Sequence, residues 1–384
     1  MTTTTSNRRD DAGRAILLDV LRGLAVLAVI LLHTGSHGVG QPTLWYDAYV
    51  WPVLSHGYLG VQLFFVISGY CIQGAVESAR RSTSPLQIFL RRRARRIYPP
   101  YWWSLVVSII LAGGTTVLMG KSWWSVFPLT AQDWLLNVLL LQGPFGAPDA
   151  GLVYWSLTIE VQFYVVMAVC LLAGRWSAAW LLGISATYVA WILHPSVPIS
   201  GTVLAYWPEF ACGIAAYFAI HHGTFGRRVA GGLWLLTTLA ALGGLSHGPS
   251  VLTTDGELST PYKQFFCLLC GGLLWSLYGA STGLHRWTVC RGLAHVGVIS
   301  YSLYLIHVPI GSRVFNFAGR VVDLHSSLWV PVAFLSLIAQ FVAGYLFYRW
   351  CEAPWLNTRR PDSAAQASRM TSSTPSALQP EASL

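Results

Sequence analysis

The chain has 384 residues, of which 54% are hydrophobic and 10% charged, with a mean hydropathy of +0.52 and a formal charge of +9. That composition excludes an ordinary soluble domain and describes a polytopic membrane protein, which in a helical membrane fold is all-α. The arginines alternate between loops, a pattern that reports membrane orientation rather than a nucleic-acid partner.

In chain order, residues 1–14 read as a disordered cytoplasmic N-terminus, 15–355 as the membrane domain and 356–384 as a disordered cytoplasmic tail rich in Ser, Ala, Pro and Thr. Ten stretches are apolar enough to cross roughly 30 Å of hydrocarbon. They lie near 15–34, 56–76, 98–119, 152–174, 177–194, 202–220, 229–246, 264–280, 296–316 and 328–350. Arginines crowd the N-terminus and the connections after the second, fourth, sixth, eighth and tenth spans, while the alternate connections carry few. Both termini are therefore expected on the cytoplasmic side.

The first span, LLDVLRGLAVLAVILLH, carries Arg22 and His33 eleven residues apart. Ionisable groups at bilayer depth are costly and are functional candidates by default. Eleven residues return to nearly the same helix face about 16 Å away, so both groups are expected to line one cavity at two depths. His33, at the outer end, has the imidazole chemistry to take a proton from a hydroxyl and give it back; a packing histidine bonded to a backbone carbonyl is the alternative. His33 and His37 are spaced i, i+4, but no Glu follows the first, so no metal is expected.

After the second span, FLRRRARRIYPPYWW gathers Arg91, Arg92, Arg93, Arg95 and Arg96. They form either a phosphate site or an anchor on acidic lipid, and Arg93 and Arg96 fall on one helix face. The connection at 120–151 includes WLLNVLLLQ, too short to span and expected to lie in the interface or dip back into the bilayer. In the fourth span, YWSLTIEVQFY places Glu160 near the depth of His33, where the two are expected to meet; an ion pair between Glu160 and a buried Arg is the alternative. The ninth span, ISYSLYLIHVPI, brings Ser300, Tyr301, Ser302, Tyr304 and His307, able to line a polar channel or to bond neighbouring helices. Cys267 and Cys270 form a CxxC with no second pair beside it, and read as packing residues.

Taken in order, five blocks resemble the acyltransferase-3 family of membrane O-acyltransferases: DVLRGLAVLAVILLH, GVQLFFVISGY, FLRRRARRIYPPYW, YWSLTIEVQFY and ISYSLYLIHVP, with YRWCEAP resembling the closing element. The resemblance implies transfer of an acyl group, usually acetyl, from cytoplasmic acyl-CoA (acetyl-CoA as the expected donor) to a hydroxyl on a carbohydrate. It implies His33 as base or proton relay, Arg22 as its companion, Glu160 as a further catalytic group, and Arg93 and Arg96, flanked by Arg92 and Tyr98, as holders of the CoA phosphates. Gln62, Ser68, Trp155, Ser300, Tyr301, Tyr304 and His307 are candidates for the substrate site or channel. Gln62 departs from the family pattern, which has Asp there; an amide supplies neither the charge nor the proton acceptor. A bacterial cytoplasmic membrane, with lipid around the chain, is the expected location. A transporter or polysaccharide-export partner with an intramembrane Arg, His and Glu pathway is the reading from another class.

Overall fold

A computed structural model describes residues 3–38, 45–118, 129–195, 197–246, 260–279, 281–324 and 326–356. The described residues are mostly helical and include no strand, as in a polytopic all-α membrane protein. Twelve helices of nine residues or more are α1 (Thr3–Gly35), α2 (Leu59–Arg80), α3 (Pro85–Leu118), α4 (Ala131–Leu139), α5 (Tyr154–Leu172), α6 (Ser177–Leu193), α7 (Trp207–His221), α8 (Gly223–Ser246), α9 (Thr260–Tyr278), α10 (Thr288–Val298), α11 (Ser300–Ala318) and α12 (Trp329–Phe347). The helical backbone of α1 reaches back to Thr3, through most of the stretch expected to be a disordered terminus. The expected disordered tail from 357 onward lies outside the described residues.

Seven helices are long and apolar enough to cross a membrane, or eight if the pair α10 and α11 counts as one bent span. Ten spans are expected from the sequence, and all ten positions are helical, but three differ from plain apolar rods. In α3 the apolar part follows the arginine cluster at 91–96 and the pair Pro99 and Pro100, and α9 opens with the polar Thr-Pro-Tyr-Lys-Gln, which shortens its apolar run. The expected ninth span breaks at Ile299, where α10 and α11 meet at 71°. That bend places the hydroxyl-rich start of α11 beside α3.

Without a hydrophobic drive between helices in lipid, close packing has to come from small residues. The contact of α2 with α7 shows this: a Cβ on Gly69 would strike the Phe210 carbonyl, and one on Gly213 would strike the Val66 carbonyl. Gly57 and Gly60 let α2 approach α1 in the same way.

Residues 129–153 form a hairpin that dips into the protein. Its descending helix α4 begins with a capping box, in which Thr130 and Asp133 bond reciprocally, and ends at Leu140 with φ of 56°. The Thr130 bonds hold the Asp133 carboxyl below its ordinary value. The last carbonyls of a helix have no partner of their own. Here one face of α3 supplies a donor to each of the last three: Tyr101 Oη to the Asn137 carbonyl at 2.8 Å, which the Leu140 N–H also reaches, Trp102 Nε1 to Val138 at 3.0 Å and Tyr98 Oη to Leu139 at 3.1 Å. The tip at Gly143 sits so close to Gly201 and Thr158 that a Cβ would collide with both. Leu135, Phe145 and Leu152 stay exposed, as lipid-facing residues do.

Candidate active site

Two cavities lie on either side of one turn of α11. The first, of about 290 Å³, is lined by Arg22 of α1, Ser68 and Cys71 of α2, Arg93 and Arg96 of α3, Glu160 and Tyr164 of α5, and Ser300, Tyr301 and Tyr304 of α11. Arg22 donates to Asp19 at 3.0 Å and to Cys71 Sγ at 3.2 Å. Glu160 accepts from Tyr164 Oη at 2.6 Å and Ser68 Oγ at 3.2 Å, all on Oε1. Arg93 Nε is buried with no hydrogen-bond partner among the described residues. Arg96 is within electrostatic reach of Tyr164, Glu352 and Glu160, yet makes no ion pair at contact distance with any described residue. Glu352 is itself engaged, accepting from Ser302 Oγ at 2.5 Å. Pro99 and Pro100 cannot donate to the carbonyls one turn back, and the nearby Ile97 carbonyl is taken by Tyr301 Oη at 3.0 Å. The cavity thus presents three guanidinium groups, with one unpartnered donor, to whatever enters it.

The second cavity, of about 100 Å³, is lined by His33, Thr34, Ser36 and His37 of the α1 end, His307 and Ser312 of α11, and Ser336 and Gln340 of α12. The rings of His33 and His307 are 5.2 Å apart, and His307 lies 5.8 Å from the Tyr304 ring that lines the first cavity. His307 Nδ1 faces two backbone carbonyls, Tyr304 at 2.8 Å and Leu303 at 3.2 Å. Carbonyls only accept, so Nδ1 carries the hydrogen and Nε2 bears the lone pair. Nε2 is buried and has no hydrogen bond to a described residue. The site therefore holds a hydrogen-bond-accepting nitrogen next to His33.

These positions correct several expectations. Arg22 and His33 do share the helix, but they line two cavities rather than one. Glu160 does not meet His33: the hairpin occupies the stretch before α5, so α5 begins level with Ser104 and Ser108, whose hydroxyls lie 3.1 Å from Tyr154 Oη, and Glu160 falls at the depth of Arg22. The partner of His33 is His307. Arg92 is exposed on the outer side of α3, and Tyr98 serves the end of α4, so neither lines the arginine cavity. Trp155 packs between Phe65 and Tyr206. Gln62 is buried with its Oε1 unpartnered and lines neither cavity, so an amide here spares the fold an isolated buried carboxylate. Arg22, Ser68, Arg93, Arg96, Glu160, Ser300, Tyr301 and Tyr304 do converge as a group. Sequence reasoning missed Asp19, although its i, i+3 spacing to Arg22 is the signal of a helical ion pair. It also missed Tyr164, one turn after Glu160, for the same reason.

A family model described as an acyltransferase domain matches residues 16–349. The chain belongs to the acyltransferase-3 family. It is a membrane O-acyltransferase. Among similar proteins, one named as a membrane-bound transacylase in Komagataeibacter xylinus is 26% identical over 89% of this chain and 83% of its own length. A peptidoglycan O-acetyltransferase of Listeria monocytogenes is 24% identical over 88% of this chain but 55% of its own length, so this acyltransferase spans little more than half of that relative. Nodulation protein 10 of Rhizobium leguminosarum is 27% identical over 65% of this chain and 71% of its own. No solved structure gives a significant match.

Proposed function

We propose that this acyltransferase takes an acyl group from acyl-CoA bound at the arginine cavity and delivers it to a carbohydrate hydroxyl at the histidine cavity. The observation that carries this reading is the pair of adjoining spaces: three arginines around one, and His33 beside a lone-pair-bearing His307 in the other, one helical turn apart. Guanidinium groups match phosphate oxygens in planar, multiply bonded geometry. Arg93 and Arg96, spaced i, i+3 on α3, with Arg22 opposite, hold the phosphates, and the pantetheine arm runs past Phe64 and Tyr304 towards His33. Glu160, tied to Ser68 and Tyr164, orients this wall and balances the arginines when no donor is bound.

In the transfer step His33 accepts the acceptor hydroxyl proton as that oxygen attacks the thioester carbonyl. The C–O ester bond forms, the C–S bond breaks, and the proton passes from His33 to the departing thiolate, giving free CoA. His307, neutral and held by two carbonyls, is a positioning residue that stabilises the imidazolium formed at His33. Thr34, Ser36, Ser336 and Gln340 give the histidine cavity the hydroxyl and amide groups that a sugar requires. The name of the Listeria relative supports a glycan acceptor. Loop arginines support a bacterial cytoplasmic membrane with both termini, and the donor, on the cytoplasmic side.

The test is release of free CoA from acetyl-CoA by purified protein in nanodiscs with a crude cell-envelope glycan extract. Wild type releases CoA only with the extract, and His33→Ala loses about 10²–10⁴-fold, the usual contribution of a general base. Undiminished release by His33→Ala would contradict the reading.

A further inference from the structure

A third cavity, of about 160 Å³, takes no part in the chemistry described so far. It is walled by Leu111 and Ala112 of α3, Leu152 and Val153 of the returning arm of the hairpin, and Leu305 and Val308 of α11. Leu152, Val308 and Ser312 belong both to this wall and to the wall of the histidine cavity. The two spaces thus meet across three side chains and differ in character. The histidine cavity is rich in hydroxyl and amide groups, whereas its neighbour is mainly aliphatic. Of the neighbour's polar members, Tyr154 and Ser108 already bond one another.

A thioester carbonyl seated at His33 has two substituents to place: the sulfur, which leads back towards the arginines, and the acyl chain. The attacking hydroxyl takes the polar space. The aliphatic space beside it is suited to the chain. A methylene occupies about as much room as a water molecule in the liquid, roughly 30 Å³, so this space holds roughly five such groups. We propose that this slot receives the acyl chain of the donor and that the enzyme prefers a neutral chain of about four to six carbons over acetyl. The inference rests on the acyl-CoA reading above and adds the identity of the acyl group to it.

The experiment measures CoA release in nanodiscs, with the same envelope extract, from acetyl-, butyryl-, hexanoyl-, decanoyl- and succinyl-CoA. Wild type is expected to turn over butyryl- or hexanoyl-CoA at least about tenfold faster than acetyl-CoA, since one methylene in an apolar pocket discriminates by about 10- to 200-fold. Ala112→Leu, which fills more than half of the slot, is expected to keep acetyl turnover and lose the longer chains by a similar factor. Should Ala112→Leu be inactive on every thioester, Leu152→Ala decides, because Leu152 is 62% exposed and its truncation spares the fold; it is expected to shift preference towards decanoyl. A wild-type preference for acetyl, or a chain-length profile that neither variant moves, overturns the slot and leaves the donor reading standing. Preferential turnover of succinyl-CoA also overturns it, because Arg313 on the slot wall rather than the aliphatic surface would then set the choice. A change confined to the KM of the glycan would make the slot part of the acceptor site and overturn it too. No release from any thioester removes the donor reading and this inference together.

Discussion

Arg96 is the residue whose surroundings say most about the donor. It lies in a cavity with Arg22 and Arg93, and two carboxylates stand near it, but Glu160 is bonded to Ser68 and Tyr164 and Glu352 to Ser302. On the proposed reading the donor's phosphates add a directly bonded partner to this guanidinium, which Glu160 and Glu352 reach only at longer range. A hydrogen bond to a charged group contributes about 1.5–3 kcal/mol, so Arg96→Ala is expected to raise the KM for acyl-CoA by roughly 10- to 100-fold, with a much smaller change in kcat. Steady-state kinetics at saturating extract separate the two. An unchanged KM would place the phosphates elsewhere. The identity of these residues was legible in the sequence, because arginine, histidine and glutamate are conspicuous inside apolar spans. Their grouping was not. Whether Glu160 stands beside His33 or joins the arginine cavity depends on where α5 starts in depth, and that depends on a hairpin whose fold no single segment reports.

The hairpin is the element that sets those depths. Its descending helix α4 is nine residues long, too short to be stable by itself, and it is held by the three donors of α3 on its last carbonyls. Tyr101→Phe removes one of two donors to the Asn137 carbonyl, the other being the Leu140 N–H, and should destabilise the protein by about 0.5–1.5 kcal/mol, the net contribution of a hydrogen bond. Thermal unfolding in detergent measures that loss, and hydrogen exchange should show faster opening in 131–145 than in α5. Equal protection of the two segments would mean that the aromatic face of α3 does not anchor the hairpin. Here the sequence was half legible: the stretch is visibly too short to span, and Thr130 with Asp133 marks a helix start, but the aromatics of α3 read equally well as interface anchors. The break at Ile299 was hard to see, since ISYSLYLIHVPI continues the apolar pattern of α10 without a proline at the bend, and Gly297, two residues before it, reads equally well as a close-packing glycine inside a helix.

Across the whole molecule, the proposed function makes the arginine and histidine cavities the two ends of one transfer path. The ends differ chemically: Arg80 bonds the Cys170 and Gly174 carbonyls on the arginine side, while Tyr46 and Trp329 pack edge to face near His37 and Gly38 on the other. Membrane class and helical fold could be read from composition and from the length of the apolar runs, because a long continuous apolar segment in lipid satisfies its backbone as a helix, whereas barrel strands are short and alternate. The partition into two cavities could not, since it arises from helix crossings set by glycine contacts and from the 71° bend. On the proposed function the acyl group crosses the bilayer between these two cavities. That crossing is tested most directly in proteoliposomes of known protein orientation, with labelled acetyl- or butyryl-CoA on one side and envelope glycan on the other. Label should reach the glycan when the thioester is supplied on the arginine face and the glycan on the histidine face. Labelling only when both are supplied on the same face would contradict the account.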